Sequence, residues 1–174
     1  MSIRRRVFED QNYVHFVTFS CYRRRRLLSH DGLCRIVLGN LDKQLTSFKA
    51  HCHGFVIMPN HVHVLLQFVQ AGQLSSFLQQ WKQKSSYYAN QAIKEFLPSL
   101  SQSIPVNDPF WQPRYDDFPI ESMAKHLEKP QYIHENPVRA RLVETAVDWR
   151  WSSAHRYEWH RFVGVDITTI NSLS

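Results

Sequence analysis

The chain is poor in cysteine: Cys21, Cys34 and Cys52 are the whole set, and no two of them form a CxxC pair. An odd number without paired spacing argues against a disulfide framework and for reduced thiols, as expected of a cytoplasmic protein. No apolar run reaches the roughly 18 residues of a membrane helix, and no basic amphipathic helix is present to lie on a lipid surface. The opening MSIRRRVFED lacks the apolar stretch and cleavage site of a secretory signal. No internal repeat is visible. Acidic residues are also short, 15 Asp and Glu against 21 Lys and Arg, which leaves a formal charge of +6.

What is present suits one globular domain. The 174 residues are 43% hydrophobic and 13% aromatic, enough to build a core. A single domain over 1–174 is expected, with its core at about 13–157, a basic segment at 1–12 and a tail at 160–174. Arginines come in two runs, Arg4, Arg5, Arg6 and then Arg23, Arg24, Arg25, Arg26. One run is commonly a solvated surface. Two runs under a positive net charge point to a polyanion, because clustered arginine neutralises phosphates and releases their counterions.

The hydropathy pattern predicts a mixed α+β fold. YVHFVTFSCY (13–22), HCHGFVIM (51–58) and HVHVLLQF (61–68) read as strands, the last two joined at Pro59-Asn60. Helical spacing predicts helices over 31–48 and 73–96 and a helical region over 120–136, with 98–109 as a loop and 110–118 as a short extended segment. This order suggests an antiparallel sheet with helices packed on one face.

His61 and His63 stand two apart on the third strand, so they share a face while Val62, Val64, Leu66 and Phe68 share the other. Two imidazoles one pleat apart can reach a single divalent cation. The spacing alone is a weak sign of a metal, since stray pairs are mostly surface or core histidines. His51-Cys52-His53 repeats the pattern upstream and raises the alternative of a zinc cluster. If Pro59-Asn60 is a two-residue turn, Met58 opposes His61, Val56 opposes His63 and Gly54 opposes Leu65. His51 and His53 then fall on the other face, and a one-residue slip reverses that.

VIMPNHVHVLL, FWQPRYDDFPI, YIHENPVRARLV and DWRWSSAHRY occur in this order, and here the chain resembles the REP-associated tyrosine transposases. That family belongs to the HUH class of single-strand DNA endonucleases with one catalytic tyrosine. The likeness spans about 13–157. It implies a ferredoxin-like, RRM-like sheet, the two histidines on a central strand and a tyrosine on a late helix facing them. It implies Tyr132 as the nucleophile of a 5′-phosphotyrosine intermediate, and His61, His63 and Asn136 as ligands of Mg or Mn. Related insertion-sequence enzymes carry Gln where this chain has the shorter Asn136. The implied substrate is single-stranded or hairpin DNA, handled by a monomer or homodimer. Tyr87 with Gln91 copies the tyrosine spacing on an earlier helix, and Tyr115 lies in an extended segment; both are expected to be ordinary aromatics.

DNA contacts are expected from the second arginine run, from Arg114 and Arg139, and from Trp111 either as a stacking platform or as a core residue. Arg141 is a further candidate for a backbone contact. An ordinary solvent-facing helical residue is one reading of His134, and nothing in the sequence decides it. Two departures from the family stand out. Pro130, two residues before Tyr132, predicts a helix break near Glu128. Arg141 stands where the family often has Gly, so a left-handed turn there would be strained. Two rivals to a nicking transposase are a hairpin-binding protein without cleavage and a hydrolytic metallonuclease that uses metal-bound water.

Overall fold

Strand β1 (Val14–Ser20) alternates so that Val17 and Phe19 enter one core while Val14 and Phe16 enter another on the opposite face. In this computed structural model, which describes residues 13–169, it is followed by α1 (Asp31–Phe48), β2 (His51–Met58) and β3 (His61–Gln67). Then come α2 (Leu74–Phe96), α3 (Pro98–Ser103), β4 (Asp116–Ile120), α4 (Met123–Arg139) and α5 (Ala154–Trp159). Arg4, Arg5 and Arg6 lie outside the described residues. The strands form one sheet in the order β2-β3-β1-β4 with each pair antiparallel, the ferredoxin-like arrangement.

Helices α1 and α2 cover one face. Their stripes (Leu33, Val37, Leu41 and Leu45; Phe77, Leu78, Trp81 and Ile93) close on Val62, Val64 and Leu66 of β3 to make the main core. Each such side chain contributes about 1.5–3 kcal/mol when fully buried. The other face carries a smaller cluster in which Ile133 of α4 meets Val56, Met58 and Leu65. Helix α4 therefore packs across β2 and part of β3, on the histidine side of the sheet.

The expected break at Pro130 does not occur, and α4 is continuous through both Pro130 and Pro137. Pro130, Ile133, His134 and Pro137 form its buried stripe. Both proline rings therefore lie on the packed side, where burial offsets the lost backbone hydrogen bond. The segment 98–109, expected as loop, contains α3 because Pro98 occupies the first helical turn, where its fixed φ is favourable. The late helix starts at Met123 rather than 120, since Ile120 is still paired with Val14. Beyond residue 160, Val165 and Ile167 are buried, and Thr168 N donates to Cys52 O at 2.9 Å, so this segment runs along the edge of β2.

Helix α4 ends with Arg141 in the left-handed region (φ 57°), where Arg141 N donates to Val138 O and Leu142 N to Pro137 O. The Cβ strain there costs about 1–2 kcal/mol, and the greater freedom of glycine in the unfolded chain offsets part of it. Arg141→Gly is expected to stabilise the protein by about 1 kcal/mol, read as a rise of about 2–4 °C in thermal unfolding.

Candidate active site

The strand register brings the two histidines together. Ser20 pairs with His61 and Thr18 with His63 on one side, and Met58 with His61 and Val56 with His63 on the other. His61 Nδ1 lies 2.6 Å from Asn60 Oδ1, and His63 Nδ1 lies 2.6 Å from Thr18 Oγ1. An amide oxygen can only accept, so Nδ1 of His61 donates the proton and its Nε2 carries a lone pair. The two Nε2 atoms stand 3.1 Å apart. Desolvation, with Arg24 adding to it, pushes the His61 pKa down to about 4. Desolvation and then His61, Arg139 and Arg24 push His63 down to about 3. Both rings are neutral at pH 7. When His63 donates to Thr18 through Nδ1, two lone pairs face one another, an arrangement that a shared cation relieves. Two nitrogens each about 2.1 Å from one ion span such a gap at neighbouring coordination positions. The outer hydrogen bonds to Asn60 and Thr18 are the kind that orient metal-binding imidazoles.

Tyr132 of α4 comes to the same place. Its ring meets His63 edge-on at 6.3 Å between centroids and Phe16 at 5.9 Å, while Phe16 stacks on His63 at 5.4 Å. Arg139 Cζ lies 4.3 Å from the Tyr132 ring centroid and its Nη2 donates to Tyr132 O; Lys129 Nζ lies 5.1 Å from the same ring. The tyrosine remains 40% exposed, so the ring is fixed at its base and open to a substrate. Asn136 follows one turn later on the same side of the helix. It is half-buried and makes no side-chain hydrogen bond among the described residues.

His134, which the sequence left undecided, does not face solvent. It is buried, its Nε2 lies 2.7 Å from Ser153 Oγ, and desolvation holds its pKa at about 4. Ser153 Oγ also accepts from Phe55 N at 2.9 Å. This chain of contacts ties the tyrosine helix to β2, and a buried histidine in the same helical stripe as Ile133 was the available sequence signal.

The expected DNA contacts divide. Arg23 and Arg24 are exposed with left-handed backbones (φ 53° and 56°), and Arg24 Nη1 donates to Ser20 Oγ at 3.0 Å beside the histidines. Arg25 is committed to an ion pair with Asp108, whereas Arg26 is exposed. Trp111 is 4% exposed and packs edge-on against Phe19, with Nε1 donating to Ser85 Oγ at 3.0 Å. A stacking role is therefore corrected to a core role: the bridge to Cys21 turns the indole under the helices. Arg114 is exposed, on a turn held by Lys82 Nζ, which donates to Gln112 O (2.6 Å) and Pro113 O (3.1 Å). Tyr87 is exposed on α2 and accepts from Gln91 Nε2 at 3.0 Å, and Tyr115 packs against the main core.

The second histidine pair does not behave as the simple turn geometry predicts. The register holds from Met58 to Gly54, then a bulge between Cys52 and Gly54 sets His51 opposite Gln67, on the face of His63. His53 Nδ1 lies 2.7 Å from Thr168 O and its Nε2 lies 2.9 Å from Gln67 Oε1. Both of its nitrogens are used, and no group of three His, Cys, Asp or Glu side chains able to hold a metal forms among the described residues. The zinc-cluster alternative is not realised. An ion at His61 and His63 needs oxygen ligands from elsewhere, such as Asn136, a phosphate or water.

Residues 9–136 match the family described as transposase, IS200 like. The fold is similar to that of a REP-associated tyrosine transposase solved bound to a REP hairpin, with a TM-score of 0.71 and 20% identity over 99% of this chain and 96% of that one. It is also similar to a candidate transposase from Deinococcus radiodurans r1, with a TM-score of 0.50 and 22% identity over 78% of this chain and 97% of the other. No curated protein matches the sequence.

Proposed function

Because this chain belongs to the IS200-like transposase family, we propose that it nicks and rejoins single-stranded or hairpin DNA through a covalent bond to Tyr132. The observation that carries the reading is the meeting, within one chain, of the Tyr132 ring with the paired histidines, 6.3 Å from His63. A hairpin with flanking single strand is the proposed substrate, as a REP hairpin is bound by the structurally similar transposase. No helix among the described residues is long and apolar enough to cross a membrane, and the proposed setting is the cytoplasm.

His61, His63 and Asn136 would hold a divalent ion, Mg or Mn, whose chemistry is to withdraw charge from a non-bridging phosphate oxygen. Arg139 and Lys129 set positive charge beside the tyrosine, where the phosphodiester must sit. The Tyr132 hydroxyl loses its proton as its oxygen bonds to phosphorus. The bond to the 3′ oxygen breaks, and that oxygen takes up a proton as a free 3′-OH. The product is a 5′-phosphotyrosine ester that conserves the energy of the phosphodiester, so a 3′-OH can attack it and restore a continuous strand without ATP. His134 and Ser153 keep α4 against β2 while this happens. Tyr132 acts on the histidine pair of its own chain, so one monomer is sufficient.

Incubation with an end-labelled hairpin oligonucleotide and Mg or Mn is expected to give a protein–DNA adduct that survives denaturation and is abolished by chelation. Binding without cleavage, or cleavage without an adduct, would overturn the proposal. Removing the outer hydrogen bonds by Asn60→Ala or Thr18→Val is expected to weaken Mn binding about 10–100-fold. Titration calorimetry without DNA checks this, and hairpin affinity should change little.

A further inference from the structure

Phe118 is 58% exposed on an edge strand, although nothing in sheet formation requires a large apolar ring facing solvent there. On β4, Asp116, Phe118 and Ile120 pair with Thr18, Phe16 and Val14, so they share the face that carries His61 and His63. Ile120 is buried beneath this face. Phe118 is not: α4 packs chiefly over β2 and reaches Phe16 through Tyr132 and Lys129, and the Phe118 ring on the outer strand stays open.

The ring is also not isolated. It lies 6.4 Å from Phe16, and Phe16 in turn stacks on His63 and meets the edge of Tyr132. Lys129 Nζ sits 5.2 Å from the Phe16 ring centroid, and Arg139 lies over Tyr132. A row of aromatic rings therefore leads from the open edge of the sheet to the catalytic pair, with cations along it. That combination of ring faces and positive charge matches one kind of occupant, a nucleic acid strand whose bases are unpaired. A protein partner would be expected to meet a broader apolar surface than one ring with the Asp116 carboxylate two residues away.

We infer that Phe118 is a stacking platform for an unpaired nucleobase next to the phosphate that is cleaved at His61 and His63. The inference rests on the proposed cleavage at that site and adds to it the means by which a single strand is preferred. In a duplex both faces of a base are covered by its neighbours, so only a melted or flanking nucleotide can use this ring. The role expected of Trp111 thus passes to a side chain on the other face of the sheet.

The test is binding of a hairpin oligonucleotide with a single-stranded flank, carrying 2-aminopurine next to the cleavage position, to wild type, Phe118→Ala, Phe118→Leu and Phe118→Trp. Because the ring is exposed, all should unfold at the wild-type temperature. The Ala and Leu forms are expected to bind the flanked hairpin about 5–150-fold more weakly and to lose fluorescence quenching. The Trp form should keep both, and a blunt duplex should bind all four alike. Equal binding by wild type and Phe118→Ala, or equal losses for duplex and single strand, would overturn the inference while leaving cleavage by Tyr132 standing. A change in oligomeric state without a change in DNA affinity would make the ring a protein contact and overturn it too. If wild type neither binds nor cleaves the flanked hairpin, the proposed function fails along with it.

Discussion

Phenylalanine in place of Tyr132 is expected to leave hairpin binding nearly intact and to abolish the covalent adduct. Cleavage should fall by about 10⁴-fold or more, the scale on which enzymes lose activity with their nucleophile. The substitution is clean because the ring keeps its surroundings. The edge contacts to Phe16 and His63 and the cations Lys129 and Arg139 all address the ring or the backbone of Tyr132 rather than its hydroxyl. Stability and DNA affinity should therefore stay close to wild type, and a loss of activity can be assigned to the missing oxygen. The experiment also separates the reaction from its nearest rival. A metallonuclease that uses water would cleave equally well after Tyr132→Phe, and it would never have formed an adduct.

The second large effect is expected at the histidines. His61→Ala should reduce cleavage by about 10²–10³-fold or more, the loss seen when a group stabilising transition-state charge is removed, and should spare most hairpin binding. His61 is the better first choice because it sits at the start of β3 and is only half-buried. His63 is buried, stacks on Phe16 and bonds Thr18, so His63→Ala removes a ligand and also opens a cavity. Its activity should fall at least as far, with a measurable drop in melting temperature. The diagnostic is the ratio of effects. A role in charge stabilisation predicts that cleavage and Mn affinity fall together while DNA affinity holds. Equal losses of binding and cleavage in His61→Ala would instead mark a structural residue.

Much of the scaffold was legible because it depends on local periodicity. The alternation of HVHVLLQ and the two-residue turn at Pro59-Asn60 were enough to put Val62, Val64 and Leu66 under the helices and His61 with His63 on the other face. What could not be read is what depends on partners distant in the chain. Pro130 predicts a break only if its ring faces solvent or disrupts packing; buried in one stripe with Ile133 and Pro137, it is tolerated. The side to which Trp111 turns is set by a bridge to Cys21, about which its local sequence says nothing. The bulge at His53 answers to Gln67 and Thr168, one of them in a tail with no pattern of its own. The strain at Arg141 was anticipated only through the resemblance to a family that often has Gly at that place, and the residue is left-handed there. The pairing of Tyr132 and Asn136 came from a family resemblance, because a tyrosine and an amide one turn apart also occur at Tyr87 and Gln91, where they only bond each other.

Mass spectrometry of the protease-digested protein–DNA adduct, formed on a flanked hairpin in the presence of Mn, tests the central claim most directly. A nucleotide attached to the phenolic oxygen of Tyr132, absent when His61 is replaced by alanine, is the predicted result. Attachment at Tyr87 or Tyr115, or efficient nicking with no modified tyrosine, would contradict it.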